Sequence, residues 1–237
     1  MKKYQICILL NKLEEYHFDD LIKKYLPSEK FDIEIKEKFP ENASFYHLII
    51  PWNYHKILKN VKNFGNVVII HSSDLPKGRG WAPLYYTFRD DMPHYTMTCI
   101  FAHENVDQGN IILKASFPIL PQYTATFLRK IDNELSFLLI KKILEKWPDG
   151  NINSIAQEGE PSNRSRRFPN DNKINTNDTL KQLLPHLRGV EKKSPAFFFH
   201  EGVKFLIEIN PETEPDFPIK IKIDYPGIGK YEFWTRP

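Results

Sequence analysis

Short apolar runs alternate with helix-like patterns through the first third of the chain, and this alternation limits the fold more than any other feature. Consecutive strands joined by helices form a parallel sheet with helices on both faces. The sequence therefore predicts an α/β, Rossmann-like fold with a twisted, mostly parallel sheet. The predicted strands span 4–10, 31–35, 46–52 and 66–73, and the predicted helices are 13–26 and a short one that includes Ile57, Leu58 and Val61.

The second half of the chain begins with a helix pattern over 81–88 and strand patterns over 95–101 and 110–119. The strongest helix pattern spans 124–147 and ends at Pro148-Asp149-Gly150. Residues 149–177 are rich in Asn, Ser, Pro and Arg and are interpreted as a long loop. Such loops within compact proteins usually have a function. A short helix over 180–187 and the strand patterns PAFFFHE, VKFLIEI and IKIKIDY follow. We expect a catalytic domain over 1–150, a core-closing loop and helix over 151–190, and a small β-rich extension over 191–237.

The charge balance is close to neutral, with 33 Lys and Arg against 30 Asp and Glu and a formal net charge of +3. Nucleic-acid binding needs basic residues concentrated on one face, so no nucleic-acid partner is expected. Cys7 and Cys99 lie in apolar runs, where a thiol behaves as a small hydrophobic group, and no metal site is predicted. The sequence lacks a signal-peptide pattern and an apolar stretch of membrane-spanning length. A cytoplasmic location without a membrane partner is expected.

Two polar loops follow strands that we expect to be neighbours in the sheet. The first begins at His71, and the second contains Asp107. Because ligands bind beyond the carboxyl ends of parallel strands, His71 and Asp107 could meet at one edge. A histidine at a strand end is also a common structural hydrogen-bonding group, and Asp-Gln-Gly is a common turn sequence. The residue types alone leave both interpretations open.

A longer pattern favours the functional interpretation. His71, Ser73, Leu75-Pro76, Arg79-Gly80 and Pro83 are followed by Val106-Asp107-Gln108-Gly109-Asn110-Ile111 and by an Arg-Arg-x-Pro-x-Asp segment that begins at Arg166. This order resembles the folate-dependent formyltransferase family, which includes the methionyl-tRNA, glycinamide ribonucleotide and sugar-nucleotide enzymes. The resemblance covers most of residues 46–190.

The resemblance implies that a formyl group passes from 10-formyltetrahydrofolate to a primary amine. It implies His71 as the general base, because histidine can accept a proton near neutral pH, and Asp107 as its partner. The residues expected to bind the cofactor are Trp52, Asn53, Tyr54, Val106 and Asp107, although the first three could simply pack in the core. The residues expected to bind the substrate are Ser72, Ser73, Lys77, Arg79, Arg164 and Arg167. Guanidinium groups pair well with phosphates, so Arg164, Arg166 and Arg167 suit a diphosphate, with a solvated loop as the alternative.

One position departs from the family pattern. The family has an asparagine two residues before the histidine, and this chain has Ile69. Losing one donor to the reacting oxygen typically costs about 2.7–4 kcal/mol. We expect another group to replace it, with Asn53, Ser72 or a backbone amide as candidates.

The variant loop HSSDLPKGRGWAPL most resembles formyltransferases of bacterial surface-polysaccharide synthesis. The expected acceptor is therefore a nucleotide-linked amino sugar, for example dTDP-4-amino-4,6-dideoxyglucose, in O-antigen synthesis. A methionyl-tRNA enzyme is expected to be longer and more basic, and a glycinamide ribonucleotide enzyme to keep the asparagine. A non-catalytic folate- or nucleotide-binding module and a 10-formyltetrahydrofolate hydrolase remain alternatives. The apolar patterns FFFHE and KFLIEI suggest pairing with the core sheet or a homodimer.

Overall fold

The structure is a computed structural model that describes residues 3–11, 19–54, 56, 58, 61, 65–147, 151–213 and 217–235. These residues form the α/β fold that the sequence predicts. The helices are α1 (Asp19–Tyr25), α2 (Pro83–Arg89), α3 (Ala125–Lys146) and α4 (Leu180–Gly189). The strands are β1 (Tyr4–Leu9), β2 (Phe31–Lys36), β3 (Leu48–Pro51), β4 (Val68–His71), β5 (Arg79–Gly80), β6 (His94–Phe101), β7 (Ile111–Pro118), β8 (Asn163–Arg164), β9 (Ala196–His200), β10 (Val203–Ile207), β11 (Ile219–Tyr225) and β12 (Gly229–Thr235).

The first part of the chain forms a parallel sheet in the order β2-β1-β3. Ile6 in the central strand lies opposite Ile33 of β2 and Leu48 of β3. A strand covered on both faces needs a continuous apolar run, which explains the composition of β1. The predicted parallel arrangement is confirmed. The predicted helix over 13–26 is observed as α1 at its carboxyl end, whereas residues 12–18 and Ile57 of the next predicted helix lie outside the described residues.

The parallel sheet meets the rest of the fold between β3 and β4. Among the described residues, one isolated parallel bridge joins Ile49 to Val67 there, and the Ile49 amide donates to the Asn66 carbonyl at 2.9 Å. The Asn66 side chain donates to the carbonyls of Ala43 at 2.9 Å and Tyr46 at 2.6 Å. A small cluster that includes Cys7 and Tyr46 fills the space around this bridge. Burial raises the pKa of Cys7 to about 11, so the thiol stays protonated at neutral pH. The junction between the sheets therefore combines a short backbone bridge, the hydrogen bonds of Asn66 and side-chain packing.

The second sheet has the order β12-β11-β7-β6-β4, and its neighbouring strands are antiparallel. Val68 lies opposite Phe101 and His71 lies opposite Thr98. The loop after β6 therefore starts beside the beginning of β4 instead of beside His71, which differs from the shared carboxyl edge that we expected. The reason is that the chain passes through α2 and enters β6 at the edge where β4 ends.

Helix α3 is the central helix of the core. It confirms the pattern predicted over 124–147, and the Thr124 hydroxyl accepts a hydrogen bond from the Phe127 amide at its start. Its buried stripe includes Leu128, Leu135 and Leu139, which belong to the same core cluster as the strands of both sheets. No helix within the described ranges is long and apolar enough to cross a membrane.

The last part of the chain is divided between two places. Strand β11 joins the core sheet beside β7, with Ile223 opposite Ala115, and β12 forms the outer edge. The hairpin of β9 and β10 is separate and packs on α4 through Ala196 and Leu183. Residues 191–237 thus extend the main sheet and also add a hairpin of their own. Strand β12 had not been predicted.

Candidate active site

His71 lies at the end of β4 and is buried together with Asp107. The Nδ1 atom of His71 is 3.6 Å from Oδ2 of Asp107, and its Nε2 atom is 2.9 Å from the Gly78 carbonyl oxygen. The carbonyl can only accept, so Nε2 carries the proton that it donates. In the neutral ring Nδ1 is then the basic atom, and it faces the carboxylate. Two groups that are far apart in the sequence therefore lie in contact.

The backbone of Asp107 places its carboxylate in this position. Asp107 has a left-handed conformation with φ of 56°, and its Oδ2 accepts a hydrogen bond from the Gly80 amide at 2.8 Å. Gly109 follows at a point where a Cβ atom would lie 1.6 Å from the Phe101 carbonyl oxygen. Only glycine fits there, so the loop after β6 can fold back toward His71.

Gln157 links the two loops, and it was not predicted from the sequence. Its Nε2 donates to the carbonyl oxygens of Asp107 and Gly109, each at 2.8 Å. Its Oε1 accepts from Arg79 Nε at 3.2 Å and from a terminal nitrogen of the same guanidinium at 2.7 Å. Arg79 is thus held by Gln157, although the sequence assigned it to the substrate. The only sequence signal was the functional character of the loop over 149–177.

We predict that Gln157→Leu lowers kcat about ten- to a hundredfold, because loss of both links lets the Asp107 carboxylate move away from His71. Steady-state kinetics with folate binding and thermal unfolding would separate misplacement from misfolding. Gln108→Leu is the matched control, since Gln108 is exposed and lies in the same loop. Equal kcat values for the two variants would contradict a positioning role for Gln157.

Strands β5 and β8 form a short parallel pair that brings residues 151–177 against the His71 loop. The Arg79 amide donates to the Ser162 carbonyl at 2.9 Å, and the Gly78 amide donates to the Ser162 hydroxyl at 2.9 Å. A Cβ atom on Gly80 would lie 2.6 Å from the Arg164 carbonyl oxygen. This close approach explains why glycine follows Arg79.

Ser72 points into the interior and away from His71. Its hydroxyl donates to Oδ1 of the buried Asp132 at 2.5 Å, and the buried Tyr95 hydroxyl donates to the same oxygen. Burial and the nearby Asp132 carboxylate raise the pKa of Tyr95 well above its usual value. One terminal nitrogen of the Arg129 guanidinium lies 3.7 Å from Oδ2 of Asp132, and the other lies 2.9 Å from Oε1 of Glu191. The Ser72 hydroxyl thus belongs to an internal network, and its substrate role stays a prediction.

The predicted arginines also have internal partners. Arg164 pairs with Asp90 and lies over the ring of Tyr86 at 4.8 Å. Arg167 lies 3.3 Å from the centre of the Tyr85 ring. It also donates to Oδ1 of Asn172 at 2.6 Å and to the Asp171 carbonyl at 3.0 Å.

The two remaining predicted substrate residues lie in the loop after His71. Ser73 donates its hydroxyl to the Lys77 carbonyl at 2.8 Å and so closes a local turn. The Lys77 side chain is exposed. Their substrate roles stay predictions.

The predicted cofactor residues lie in two segments, after β3 and in the loop after β6, and their cofactor roles stay predictions. Trp52 is buried against Phe137 at the end of β3, and Asn53 turns the backbone with φ of 48°. Val106 is 55% exposed although it directly precedes the buried Asp107. An exposed apolar group beside a buried carboxylate offers one face to a ring and one to its polar edge. The Tyr54 hydroxyl donates to the Glu37 carbonyl at 3.1 Å.

Ile69 presents an apolar side chain where the family pattern has an amide. It packs against the buried cluster of Leu75, Ile100 and Ile111. Since the Ser72 hydroxyl is held by Asp132, Asn53 and backbone amides remain as substitutes for the missing donor. No group of three or more His, Cys, Asp or Glu within the described residues is arranged to hold a metal ion.

Comparison with known proteins identifies the family of this chain. The family model described as formyl transferase matches residues 11–140, which is more than half of the chain. The chain therefore belongs to the formyl transferase family, whose members transfer formyl groups and use formyl-tetrahydrofolate.

Similar curated proteins include a methionyl-tRNA formyltransferase from Chlorobium phaeovibrioides, which is 27% identical over 139 residues. The match covers 58% of this chain and 44% of that protein, so the chain spans about half the length of the curated relatives it matches.

Similar solved structures share the fold. A 4-N formyltransferase from Francisella tularensis has a TM-score of 0.71 and 16% identity over 89% of this chain and 99% of that chain. A methionyl-tRNA formyltransferase from Clostridium thermocellum has a TM-score of 0.70 and 21% identity over 94% and 99%. HypX from Aquifex aeolicus in complex with tetrahydrofolic acid has a TM-score of 0.70 and 15% identity over 98% and 46%.

Proposed function

We propose that this chain transfers the formyl group of 10-formyltetrahydrofolate to the amine of a nucleotide-linked amino sugar, as in O-antigen and lipopolysaccharide synthesis. The observation that carries the proposal is the contact between His71 and Asp107 at 3.6 Å in a chain of the formyl transferase family. The residue roles implied by the family pattern, from His71 to Arg167, are part of this proposal.

The proton transfer follows from the hydrogen bonds of His71. The bound cofactor supplies an activated formyl group. The acceptor amine would attack the formyl carbon and lose its proton to Nδ1 of His71, because Nε2 is held as a donor by the Gly78 carbonyl. His71 would then give this proton to the cofactor nitrogen as the bond between that nitrogen and the formyl carbon breaks, which releases tetrahydrofolate. Asp107 stabilises the resulting imidazolium. Negative charge on the formyl oxygen needs a donor that Ile69 does not offer, so Asn53 or a backbone amide would provide it.

The sugar-nucleotide acceptor is favoured over tRNA by the surface charge. The lysines of β11 and β12 are paired with acidic residues: Lys220 and Lys222 with Glu232, and Lys230 with Asp224. A surface that follows a tRNA backbone needs unpaired basic groups on one face. Similar folds include a sugar N-formyltransferase from Shewanella and the 4-N formyltransferase from Francisella tularensis. The methionyl-tRNA acceptor of the curated relatives is the second candidate.

The exposed hairpin supports a homodimer as part of the proposal. Phe199, Val203 and Leu206 are each more than half exposed, and β10 pairs only with β9 in the described sheets. Antiparallel pairing of two β10 strands around Leu206 would place Lys204 opposite the partner's Glu208. Sedimentation equilibrium should show a dimer that Leu206→Glu converts to a monomer.

The acceptor is tested by incubating the purified protein with 10-formyltetrahydrofolate and a panel of nucleotide-linked amino sugars. We expect a formylated sugar nucleotide and tetrahydrofolate in equal amounts, measured by mass spectrometry and absorbance. Formylation of methionyl-tRNA alone would favour the second candidate. Free formate released at the same rate without any amine would indicate a hydrolase, and folate binding without turnover would indicate a binding module. A cytoplasmic reaction is expected, where both substrates are made.

A further inference from the structure

Arg166 differs from the other arginines of its segment because its guanidinium is not paired with a carboxylate or a carbonyl group among the described residues. Its guanidinium lies 4.8 Å from the centre of the Trp81 ring and 5.5 Å from that of Phe168. In contrast to Arg164 and Arg167, Arg166 makes only these ring contacts among the described residues. The side chain is exposed, and Phe168 beside it is 57% exposed. An arginine and two aromatic rings thus form an accessible, cationic surface, which we call the Arg166 platform.

The platform lies next to the reacting centre. Strands β5 and β8 are parallel, with Gly80 opposite Arg164, and Trp81 and Arg166 follow at the same end of this pair. The Trp81 amide donates to the Arg164 carbonyl at 3.2 Å. The amide of Gly80, one residue before Trp81, is the donor to Asp107. The platform therefore begins one residue away from the group that holds the carboxylate.

The chemistry of the platform matches a nucleotide. A guanidinium that lies over an aromatic ring keeps its N–H groups in the guanidinium's own plane. From there they can donate two parallel hydrogen bonds to phosphate oxygens. The same aromatic faces can stack on a base. Because the ring contacts already hold Arg166, binding costs little further side-chain entropy. An exposed phenylalanine beside an unpaired arginine has no evident role in the core of the protein.

We propose that the Arg166 platform binds the nucleoside diphosphate part of the acceptor, with the phosphates on Arg166 and the base on Phe168 or Trp81. This inference rests on the proposed function and adds to it a choice among three arginines. Arg164 and Arg167, which the sequence also assigned to the substrate, are held by Asp90 and Asn172 and do not form part of the platform. An acceptor bound in this way would extend past Gly80, and its sugar amine would be directed toward His71.

The test measures binding of UDP, dTDP, GDP and ADP by isothermal titration calorimetry, without cofactor and without amino sugar. Pyrophosphate, thymidine and the trinucleotide CCA are included to separate phosphate, base and RNA recognition. The variants are Arg166→Ala, Arg166→Lys and Phe168→Ala. Lys230→Ala and Phe45→Ala are matched controls, since both residues are exposed and lie on other elements. Thermal unfolding checks that each variant is folded.

We expect at least one nucleoside diphosphate to bind, and Arg166→Ala to weaken that binding about tenfold or more. Arg166→Lys should restore only part of it, because lysine lacks the planar fork. Phe168→Ala should weaken dTDP or UDP and leave pyrophosphate unchanged.

The other outcomes overturn the inference in distinguishable ways. Nucleotide binding that is equal in Arg166→Ala and Lys230→Ala would reject the platform and leave the proposed function intact. Folate binding without any nucleotide binding by the wild-type protein would reject the sugar-nucleotide acceptor itself. Tighter binding of CCA than of every nucleoside diphosphate would assign the platform to an RNA end.

Discussion

His71→Ala is expected to lower the rate of formyl transfer about a hundred- to ten-thousandfold, because it removes the atom that accepts the amine proton. Asp107→Asn should cause a smaller loss, since the amide can still accept from Gly80 but cannot stabilise an imidazolium. Both rates are measured with the amine acceptor that the panel identifies, and the His71→Ala variant should bind tetrahydrofolate as the wild type does.

The matched control for His71 is His103→Ala. His103 is exposed, lies in the loop after β6, and accepts a hydrogen bond from the Asn105 amide. It should retain most of the activity. If His71→Ala and His103→Ala were equally active, the role of His71 would be structural and the proposed proton transfer would be wrong.

Asp132→Ala is expected to lower the free energy of unfolding by about 3–5 kcal/mol. The substitution leaves the buried hydroxyls of Ser72 and Tyr95 without their acceptor and Arg129 without one of its carboxylates. Urea unfolding followed by far-UV circular dichroism gives the difference. Asp132→Asn is the isosteric comparison, and it should lose less because its oxygen can still accept.

A double-mutant cycle makes this prediction more specific. If Tyr95 and Asp132 interact as described, the cost of Tyr95→Phe should be much smaller in the Asp132→Ala background than in the wild type. Additive costs in the two backgrounds would show that the Tyr95 hydroxyl does not depend on Asp132.

The parts of the fold that depend on local patterns could be predicted from the sequence. The apolar run of β1 and the stripe and end signals of α3 need only neighbouring residues, and both elements are observed near their expected bounds. Strand direction could not be predicted from local patterns. The run 95–101 suits a parallel or an antiparallel strand, so the antiparallel direction of β6 relative to β4 was not foreseen. Strand β12 was missed although GKYEFWT contains aromatic residues, because it forms the exposed edge of the sheet and lacks a buried apolar run.

The candidate site shows the same division. His71 and Asp107 were identified because they occur in a recognisable order, whereas the partners of Gln157 are about 50 residues away in the chain. Asp132 interrupts an apolar stripe and gives no sign of the Ser72 hydroxyl that it accepts from. Likewise, no spacing rule separates Arg166 from Arg164 and Arg167. Their contacts differ because Asp90 is close in space to Arg164 and Asn172 is close to Arg167.

The junction between the two sheets has a consequence for evolution and engineering. Since one short backbone bridge, between Ile49 and Val67, joins the two sheets in the described part of the chain, the side chains packed around it help to set the angle between the halves. His71 is the last residue of β4, and Trp52 directly follows β3, so both lie at the ends of the two strands that meet at this junction. A larger residue at Cys7 or Val67 would therefore shift one half relative to the other and change the spacing between Trp52 and His71. None of the residues with a proposed substrate role would be replaced.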